Sequence, residues 1–310
     1  MSYVDWLNRG IVTIGMSTIE SYLSVDNIPL REGKHLGKKM GTYRGGMATN
    51  VTANLCLLGL KATLVSFGGK SSGTVLDYSD VYDEYFCTHY SLGAHSPQVI
   101  IFVEPVHGMR AAVLIEHQRP KVLTHEQTIA ISQAGFIYYD GSWPEIIPEV
   151  LSTISTTNAI LFVNCEFFRE EDFPLLKQSQ VIMANESYWF PDKTVSRKDV
   201  ENKIFQHWSK NKKLIGINFG VEGTVLYDGH LLEHCPVADV VAVDTTGAGD
   251  AFAAGLIYAL TKNMERSDAL SLASILASMQ CEHVGPNLLI GPKSREHVLQ
   301  KITSNFNGLC

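Results

Sequence analysis

The stretch DTTGAGDAFAAG, which covers Asp244–Gly255, decides the fold of this sequence. The β-branched run VADVVAV precedes it, and a helical pattern with an apolar face follows it. The first N–H groups of a helix have no partner within the helix, so an anion can bind them where no bulky side chain stands in the way. The stretch therefore predicts a bare anion-binding loop, Gly247–Ala248–Gly249, that leads into a helix beginning close to Gly249–Asp250.

Asp250 stands at the start of this helix, and its charge needs an explanation. A carboxylate beside an anion site repels the anion. General-base catalysis would be a compensating use, in which Asp250 takes the proton from a hydroxyl as that hydroxyl attacks a phosphoryl group. The simpler interpretation is a first-turn carboxylate that stabilises its helix. The glycine-rich context favours the base.

The composition is that of a globular protein with a sizeable core, since 45% of the 310 residues are hydrophobic and 18% are charged. A net charge of −7 argues against a surface that holds nucleic acid or a membrane, and we expect neither as a partner. The start of the sequence lacks a basic segment followed by a long apolar one, and no apolar run has bilayer-spanning length, so we expect neither a secretory signal nor a membrane span. Six scattered cysteines without a CxxC pair predict reduced thiols in a cytoplasmic protein.

Short apolar runs alternate with helical patterns along most of the chain, which predicts an α/β fold with a mainly parallel sheet between helices. Several runs, such as GFIYYDG and QVIMAN, end in Gly, Asn or Asp, at the carboxyl edge where such sheets bind ligands. Residues 16–43 and the hairpin 98–116 do not fit the alternation, so we expect them to form a small separate sheet that covers the site. The helical patterns cover Met47–Leu58, Glu145–Ile154, Arg197–Lys210, Asp250–Thr261 and Ser267–Cys281.

Two stretches together resemble the signatures of the ribokinase-like (phosphofructokinase-B type) carbohydrate kinase family. DTTGAGDAFAAG is similar to the C-terminal signature, and GGMATNVTANLCLLG, Gly45–Gly59, to the N-terminal one. The resemblance covers essentially the whole chain. It implies a single domain over residues 1–310, built as a three-layer α/β/α sandwich with a small β lid. It also implies transfer of the γ-phosphoryl group of ATP, bound with Mg²⁺, to a sugar or nucleoside hydroxyl. The runs FIYYDG and VNCEFFREEDF are most similar to ketohexokinase-type members. This similarity favours a ketose as the substrate, and a pentose is the other candidate sugar.

The resemblance assigns roles on the phosphoryl-transfer side of the site. Asp250 matches the catalytic base, and Gly247, Ala248 and Gly249 match the anion hole. Asp244 and Thr246 match positions that hold a monovalent cation such as K⁺, although Asp244 could simply end a strand and cap the turn.

The stretch NFGVEGTVLYDG resembles the nucleotide-binding strand and loop of the family. By themselves its glycines also fit an ordinary turn. The family pattern Asn-x-x-Glu begins at Asn185, but Tyr188 stands where the Glu is usual, and the neighbouring carboxylate is Glu186. The nucleotide-binding residues implied by the resemblance are Asn185, Asn218, Gly220, Gly223 and Gly285.

The sugar side of the site departs more from the family pattern. Glu20 stands where the family has an Asp that holds two sugar hydroxyls, and Met47 occupies a position that is often polar. Arg110 matches an arginine of the lid that reaches the sugar, and its alternative is a solvated hairpin charge. The segment 68–87 is shorter than the corresponding helix and loop of the family. The resemblance also leads us to expect a homodimer formed through the lid. The substrate-binding residues implied by the resemblance are Glu20, Gly45, Gly46, Asn50 and Arg110.

Two classes of function remain open from the sequence. The first is an ATP-dependent kinase of a small sugar, with a nucleoside kinase as the alternative within the enzymes. The second is a catalytically weak member that binds a sugar or a nucleotide. The intact Gly-Ala-Gly-Asp loop favours the enzyme, whereas Glu20, Met47 and Tyr188 depart from the pattern.

Overall fold

Strands and helices alternate along most of the chain in the computed structural model. It describes residues 9–28, 32–69, 78, 84–91, 95–106, 109–166, 169–189, 198–199, 201–202, 214–229, 232–237, 240–288 and 295–305. The strands within these ranges are β1 Ile11–Gly15, β2 Thr18–Ser24, β3 Lys38–Gly45, β4 Ala62–Ser66, β5 Phe86–Tyr90, β6 Gln98–Glu104, β7 Met109–Leu114, β8 Phe136–Tyr139, β9 Ile160–Cys165, β10 Val181–Asn185, β11 Leu214–Asn218, β12 Thr224–Tyr227 and β13 Leu232–Cys235. The α-helices there are α1 Met47–Leu57, α2 His125–Gln133, α3 Ile147–Ile154, α4 Phe173–Gln178, α5 Glu186–Trp189, α6 Ala248–Thr261, α7 Arg266–Cys281 and α8 Arg295–Asn305.

The central sheet is the middle layer of the fold. Its strands within the described ranges run in the order β13-β12-β11-β10-β9-β8-β1-β4-β5. Neighbours from β11 to β5 in that order are parallel, whereas β12 and β13 pair antiparallel. One apolar cluster packs the sheet against α2, α3 and α4, and another packs its opposite face against α1, α6 and α7. The predicted three-layer α/β/α sandwich with a mainly parallel sheet is therefore confirmed.

A second, smaller sheet has the strand order β3-β2-β6-β7, and we call it the lid sheet. Its β2–β6 pair is parallel, while β2–β3 and β6–β7 are antiparallel. The strands come from the two segments that the sequence set apart, with β3 extending to Gly45, beyond residue 43. The buried residues of β2 alternate with partly exposed ones, because only one face of this sheet packs on a core.

Several boundaries differ from the sequence predictions. Residues 240–243 of the β-branched run are not a strand, since the N–H groups of Val243 and Asp244 donate to the Cys281 carbonyl at the end of α7 instead of to a neighbouring strand. Helix α6 begins at Ala248, before the predicted start, and α3 follows a 3₁₀ turn at Pro144–Ile146. Most of the predicted helix 197–210 lies outside the described residues, and its described positions 198–199 and 201–202 are helical. The hairpin turn at 107–108 and most of segment 68–87 also lie outside the described residues. No helix in the described part of the chain has the length and apolar character needed to cross a bilayer.

Candidate active site

The start of α6 presents bare backbone to open space. Gly247 has a left-handed backbone with φ 76°, and a Cβ there would stand 2.0 Å from the Pro286 carbonyl oxygen. Gly249 is exposed, and a Cβ on it would meet no atom within 4 Å. A ligand can therefore reach the helix N-terminus at Gly249, while Gly247 is required for the tight turn before it.

Asp250 lies in the first turn of α6, with its side chain turned inward and only 8% of the residue exposed. Its Oδ2 accepts a 2.7 Å hydrogen bond from Asn50 Nδ2 on α1. Burial raises the pKa of Asp250 well above its ordinary value, the bond from Asn50 lowers it, and the carboxylates of Glu166, Asp140 and Glu20 raise it further. A carboxylate whose pKa is moved upward from the acid range is suited to accept a proton near neutral pH.

The loop before α6 is held by the carboxylate of Asp244, which is fully buried. Its Oδ1 accepts from the backbone N and the Oγ1 of Thr246, at 2.9 and 2.6 Å, and its Oδ2 accepts from Gly285 N at 3.1 Å. Gln280 Nε2 donates to the carbonyls of Thr246 and Gly285, at 2.9 and 2.6 Å. In the described structure Asp244 thus caps the turn and ties it to the segment after α7.

A cleft beside the start of α6 is bordered by amide side chains at the ends of three neighbouring strands. Asn185 is exposed, and Asn218 is half-buried with its Oδ1 accepting from Gly220 N at 2.8 Å. Gly223 has φ 91°, and a Cβ there would lie 2.1 Å from the Cys235 carbonyl oxygen. Gly220, Gly223 and Gly285 shape neighbouring turns and are not among the lining residues. The cleft is lined by Asn164, Met183, Ala184, Asn185, Asn218, Gly249, Phe252 and Ala253.

Tyr188, which replaces the usual Glu, belongs to the core of the protein. It is 1% exposed and packs in the apolar cluster that contains Ile182 and Ala184. Glu186 is half-buried and immediately follows Asn185 at the end of β10. A carboxylate at position 188 would be buried in this apolar cluster, so Tyr188 serves packing.

The residues predicted to bind the sugar meet where the lid sheet joins α1. Glu20 on β2 is 5% exposed and accepts from Thr18 Oγ1 at 2.8 Å, from Tyr22 OH at 2.8 Å and from Gly46 N at 3.0 Å. Burial raises the pKa of Glu20, and these hydrogen bonds together with Arg110 partly offset the rise. A Cβ at Gly45 would stand 2.3 Å from the Glu20 carboxyl group.

Asn50 and Arg110, the other two residues predicted to bind the sugar, differ in their surroundings. Asn50 is buried and bonded to Asp250, so it joins this corner to the start of α6. Arg110 is exposed on β7, yet it lies close enough to Glu20 and Glu166 to lower the pKa of both. Met47, at the first position of α1, is half-buried.

Asp140 is a further buried carboxylate of this corner, and no role was predicted for it from the sequence. It directly follows β8, and its oxygens accept from Met16 N at 2.8 Å, Ala48 N at 3.1 Å, and both the N and the Oγ of Ser142 at 2.8 and 2.5 Å. A Cβ at Gly15 would stand 2.0 Å from this carboxyl group. The strand-end Asp-Gly pair was the available signal. Glu166, after β9, was likewise missed, and nothing in VNCEFFREEDF distinguishes it from its acidic neighbours.

Sequence comparison places residues 108–291 in the pfkB family carbohydrate kinases. A ribokinase of Lactococcus lactis is 35% identical over 69 residues, which are 22% of this chain and 23% of that protein. The chain thus spans about a quarter of the length of that relative in the match. The ketohexokinase of Mus musculus is 24% identical over 292 residues, which cover 88% of this chain and 96% of that protein.

Structural comparison finds the same fold in proteins of low sequence identity. Ribokinase of Arabidopsis thaliana, in complex with ribose and ATP, superimposes with a TM-score of 0.73 at 16% identity, covering 94% of this chain and 98% of the other. A nucleoside kinase of Burkholderia thailandensis, in complex with inosine, gives a TM-score of 0.74 at 17% identity, covering 96% and 98%. Both similarities concern the fold.

Proposed function

The chain belongs to the pfkB family of carbohydrate kinases, and we propose that it transfers the γ-phosphoryl group of ATP to a hydroxyl of a small sugar. The observation that carries the proposal is the buried carboxylate of Asp250 in the first turn of α6, beside the open backbone of Gly249. A proton acceptor and an anion-binding helix start then stand side by side, as phosphoryl transfer to a hydroxyl requires.

The chemical step follows from this arrangement. The sugar hydroxyl oxygen forms a bond to the γ-phosphorus, the bond between that phosphorus and the bridging oxygen breaks, and ADP leaves. Asp250 takes the hydroxyl proton. Backbone N–H groups of Gly247, Ala248 and Gly249 stabilise the charge on the transferred group. Because the pKa of Asp250 is raised, its protonated form persists at higher pH than for an ordinary Asp, and the rate should rise with pH as that proton is lost.

ATP and Mg²⁺ are assigned to the cleft beside α6. Asn185 and Asn218 offer amide groups to the nucleotide, while Gly220 and Gly223 let the chain after β11 pass close to it. The family resemblance assigns Gly285 to the adenine end, although Gly285 does not line the cleft. Among the described residues, no three His, Cys, Asp or Glu come together as a metal site. Hard oxygens are nevertheless at hand on Asn185 and Glu186, and this donor set fits a Mg²⁺ that is held chiefly by the phosphates.

The sugar is assigned to the corner formed by the lid sheet and α1. Gly45 and Gly46 allow the chain to pass close to Glu20 and Met16 there, and Glu20, Asn50 and Arg110 supply polar groups. A ketose is supported by the match to a ketohexokinase over 88% of this chain, and a pentose by the shared fold of the ribose-bound ribokinase. The inosine-bound neighbour makes a nucleoside the alternative acceptor.

Three further features belong to this proposal. K⁺ beside Asp244 and Thr246 would hold the anion loop in place.

A homodimer would form through the lid sheet, where Met109, Val113 and Leu114 on β7 expose 43%, 50% and 46% of their surface. Sedimentation velocity of the wild type and of a Val113→Lys variant tests the dimer. A cytoplasmic location is supported by the cysteines in the described ranges, which are all free thiols.

A panel of ketoses, pentoses and nucleosides, each tested for ADP formation from Mg·ATP, tests the proposal. Asp250→Asn is the matched blank, because it keeps the shape of the side chain and removes the base. We expect that the wild type forms ADP with at least one sugar and that Asp250→Asn does not. Turnover with nucleosides alone would favour the alternative acceptor. If a sugar binds in calorimetry but none is turned over, the protein is a sugar-binding protein and the proposed enzyme activity is wrong.

A further inference from the structure

Asp250 is one end of a chain of buried hydrogen bonds that reaches the lid sheet. Tyr78 OH donates to the Arg44 carbonyl oxygen at 2.9 Å. Asn287 Nδ2 donates to Tyr78 OH at 2.9 Å and to Asn50 Oδ1 at 3.2 Å. Asn50 Nδ2 then donates to Asp250 Oδ2 at 2.7 Å. We call these five residues the Asn287 chain.

The polarity of the Asn287 chain is fixed from its far end. The carbonyl of Arg44 can only accept, so the single proton of Tyr78 OH is committed to it. Tyr78 must then accept from its other neighbour, which requires the NH₂ group of Asn287 at that place. The same NH₂ group faces Asn50, where only an oxygen can accept from it. The NH₂ group of Asn50 is thereby turned toward Asp250.

We propose that Asn287 and Tyr78 are positioning residues, which hold the amide of Asn50 so that its N–H, and not its oxygen, faces the carboxylate of Asp250. The inference rests on the proposed role of Asp250 as the base. A donor on Oδ2 favours the ionised form that accepts a proton, and it fixes the carboxylate plane. No donor in the described structure occupies Oδ1, which leaves that oxygen for the hydroxyl of the sugar.

The orientation of Asn287 is held at an energetic cost. Its Oδ1 is buried and has no hydrogen-bond partner among the described residues, and the residue itself is fully buried. An unpaired buried acceptor is unfavourable. Rotating the amide would place Oδ1 against the oxygens of Tyr78 and Asn50, which is worse. The two hydrogen bonds that Asn287 donates offset this cost, and they also fix the direction of the Asn287 chain.

The charges around Asp250 show why a donor is needed there. Glu166 after β9, Asp140 after β8 and Glu20 on β2 all raise the pKa of Asp250, in addition to its burial. Tyr138 on β8 is a neutral neighbour, because burial and Asp250 hold the pKa of its hydroxyl well above its usual range. Asn50 is the only side chain in the described structure that lowers the pKa of Asp250 by a hydrogen bond.

The test follows the protonation of Asp250 itself, through the infrared band of its protonated carboxyl group, which is assigned by its loss in Asp250→Asn. Asn287→Leu removes both donated bonds and should move the titration of Asp250 to higher pH by about one unit. Tyr78→Phe keeps the ring and removes only the anchor, so it should give a smaller shift in the same direction. Where a sugar is turned over, the acid limb of kcat should move equally.

Asn54→Leu is the matched control. Asn54 is a fully buried amide one turn further along α1, and its Oδ1 accepts from Leu288 N at 2.9 Å, next to Asn287 but outside the Asn287 chain. We expect it to lower the melting temperature without moving the titration. An unchanged titration in Asn287→Leu and Tyr78→Phe, or an equal shift in Asn54→Leu, would overturn the proposal.

Should Asn287→Leu fail to fold, Tyr78→Phe alone decides between these outcomes. An Asp250→Asn variant that keeps its activity would remove Asp250 as the base. The infrared titration would still decide whether Asn287 orients Asn50, so the two failures are distinguishable.

Discussion

Two regions of the site bury a carboxylate in different ways. Beyond the end of β8, Asp140 accepts four hydrogen bonds from the segments that follow β1 and β8 and from the start of α1. At the start of α6, Asp250 accepts one bond from a described residue, donated by Asn50. Burial raises the pKa of both, but only that of Asp250 moves well above its ordinary value.

The difference separates a carboxylate that holds the fold from one that is available for chemistry. Three backbone N–H groups donate to Asp140. Its charge therefore holds together segments whose N–H groups would otherwise lack partners. Among the described residues, Asp250 is hydrogen-bonded only to the amide of Asn50, and it stands beside the open backbone of Gly249. A buried charge with so little compensation is unfavourable for stability and is typical of functional sites.

The largest effect is expected from Asp250→Asn on the rate. A positioned general base contributes about 10²–10⁴-fold, so kcat should fall by that factor. Nucleotide affinity should hold or rise, because a negative charge near the phosphates is removed. Steady-state kinetics and ATP titration calorimetry measure the two effects. A folded variant that binds ATP and keeps more than about a tenth of the rate would contradict the assignment.

Glu20→Ala should have the next largest effect. It tests a carboxylate that shares features of both Asp140 and Asp250. Glu20 accepts three bonds, one of them from Gly46 N, yet it lies at the assigned sugar corner. Its loss should lower kcat/KM for the sugar by about 10–100-fold, as for a hydrogen bond to a charged group. The KM for ATP should stay nearly constant. Unchanged sugar kinetics would place the pocket elsewhere.

The smallest effect is expected from the monovalent cation. Asp244 already has hydrogen-bond donors on both oxygens, so K⁺ would only add to the order of a loop that is held without it. We expect K⁺ to raise kcat a few-fold over tetramethylammonium at equal ionic strength. Identical rates in the two salts would leave Asp244 as the cap of the turn alone.

The sequence predicted the parts of the fold and site that depend on local patterns. Alternating runs gave the parallel sheet, and the bare loop gave the start of α6 within two residues of Gly249–Asp250. The run at 240–243 was misjudged because tertiary hydrogen bonds to α7 replace the sheet. Asn287 and Tyr78 could not be predicted, since their partners Asn50 and Arg44 lie far away along the chain.

The measurement that tests the comparison most directly is the free energy of unfolding of Asp250→Asn and Asp140→Asn across pH. The folded-state pKa of Asp250 is raised, so its charge lowers stability as pH rises from the ordinary Asp pKa through the folded one. Asp250→Asn should therefore be more stable than the wild type at neutral pH, with the gain fading in acid. Asp140→Asn sets an NH₂ group against backbone donors and should lose about 2–4 kcal/mol. Losses of similar size in both variants at neutral pH would contradict the distinction between the two carboxylates.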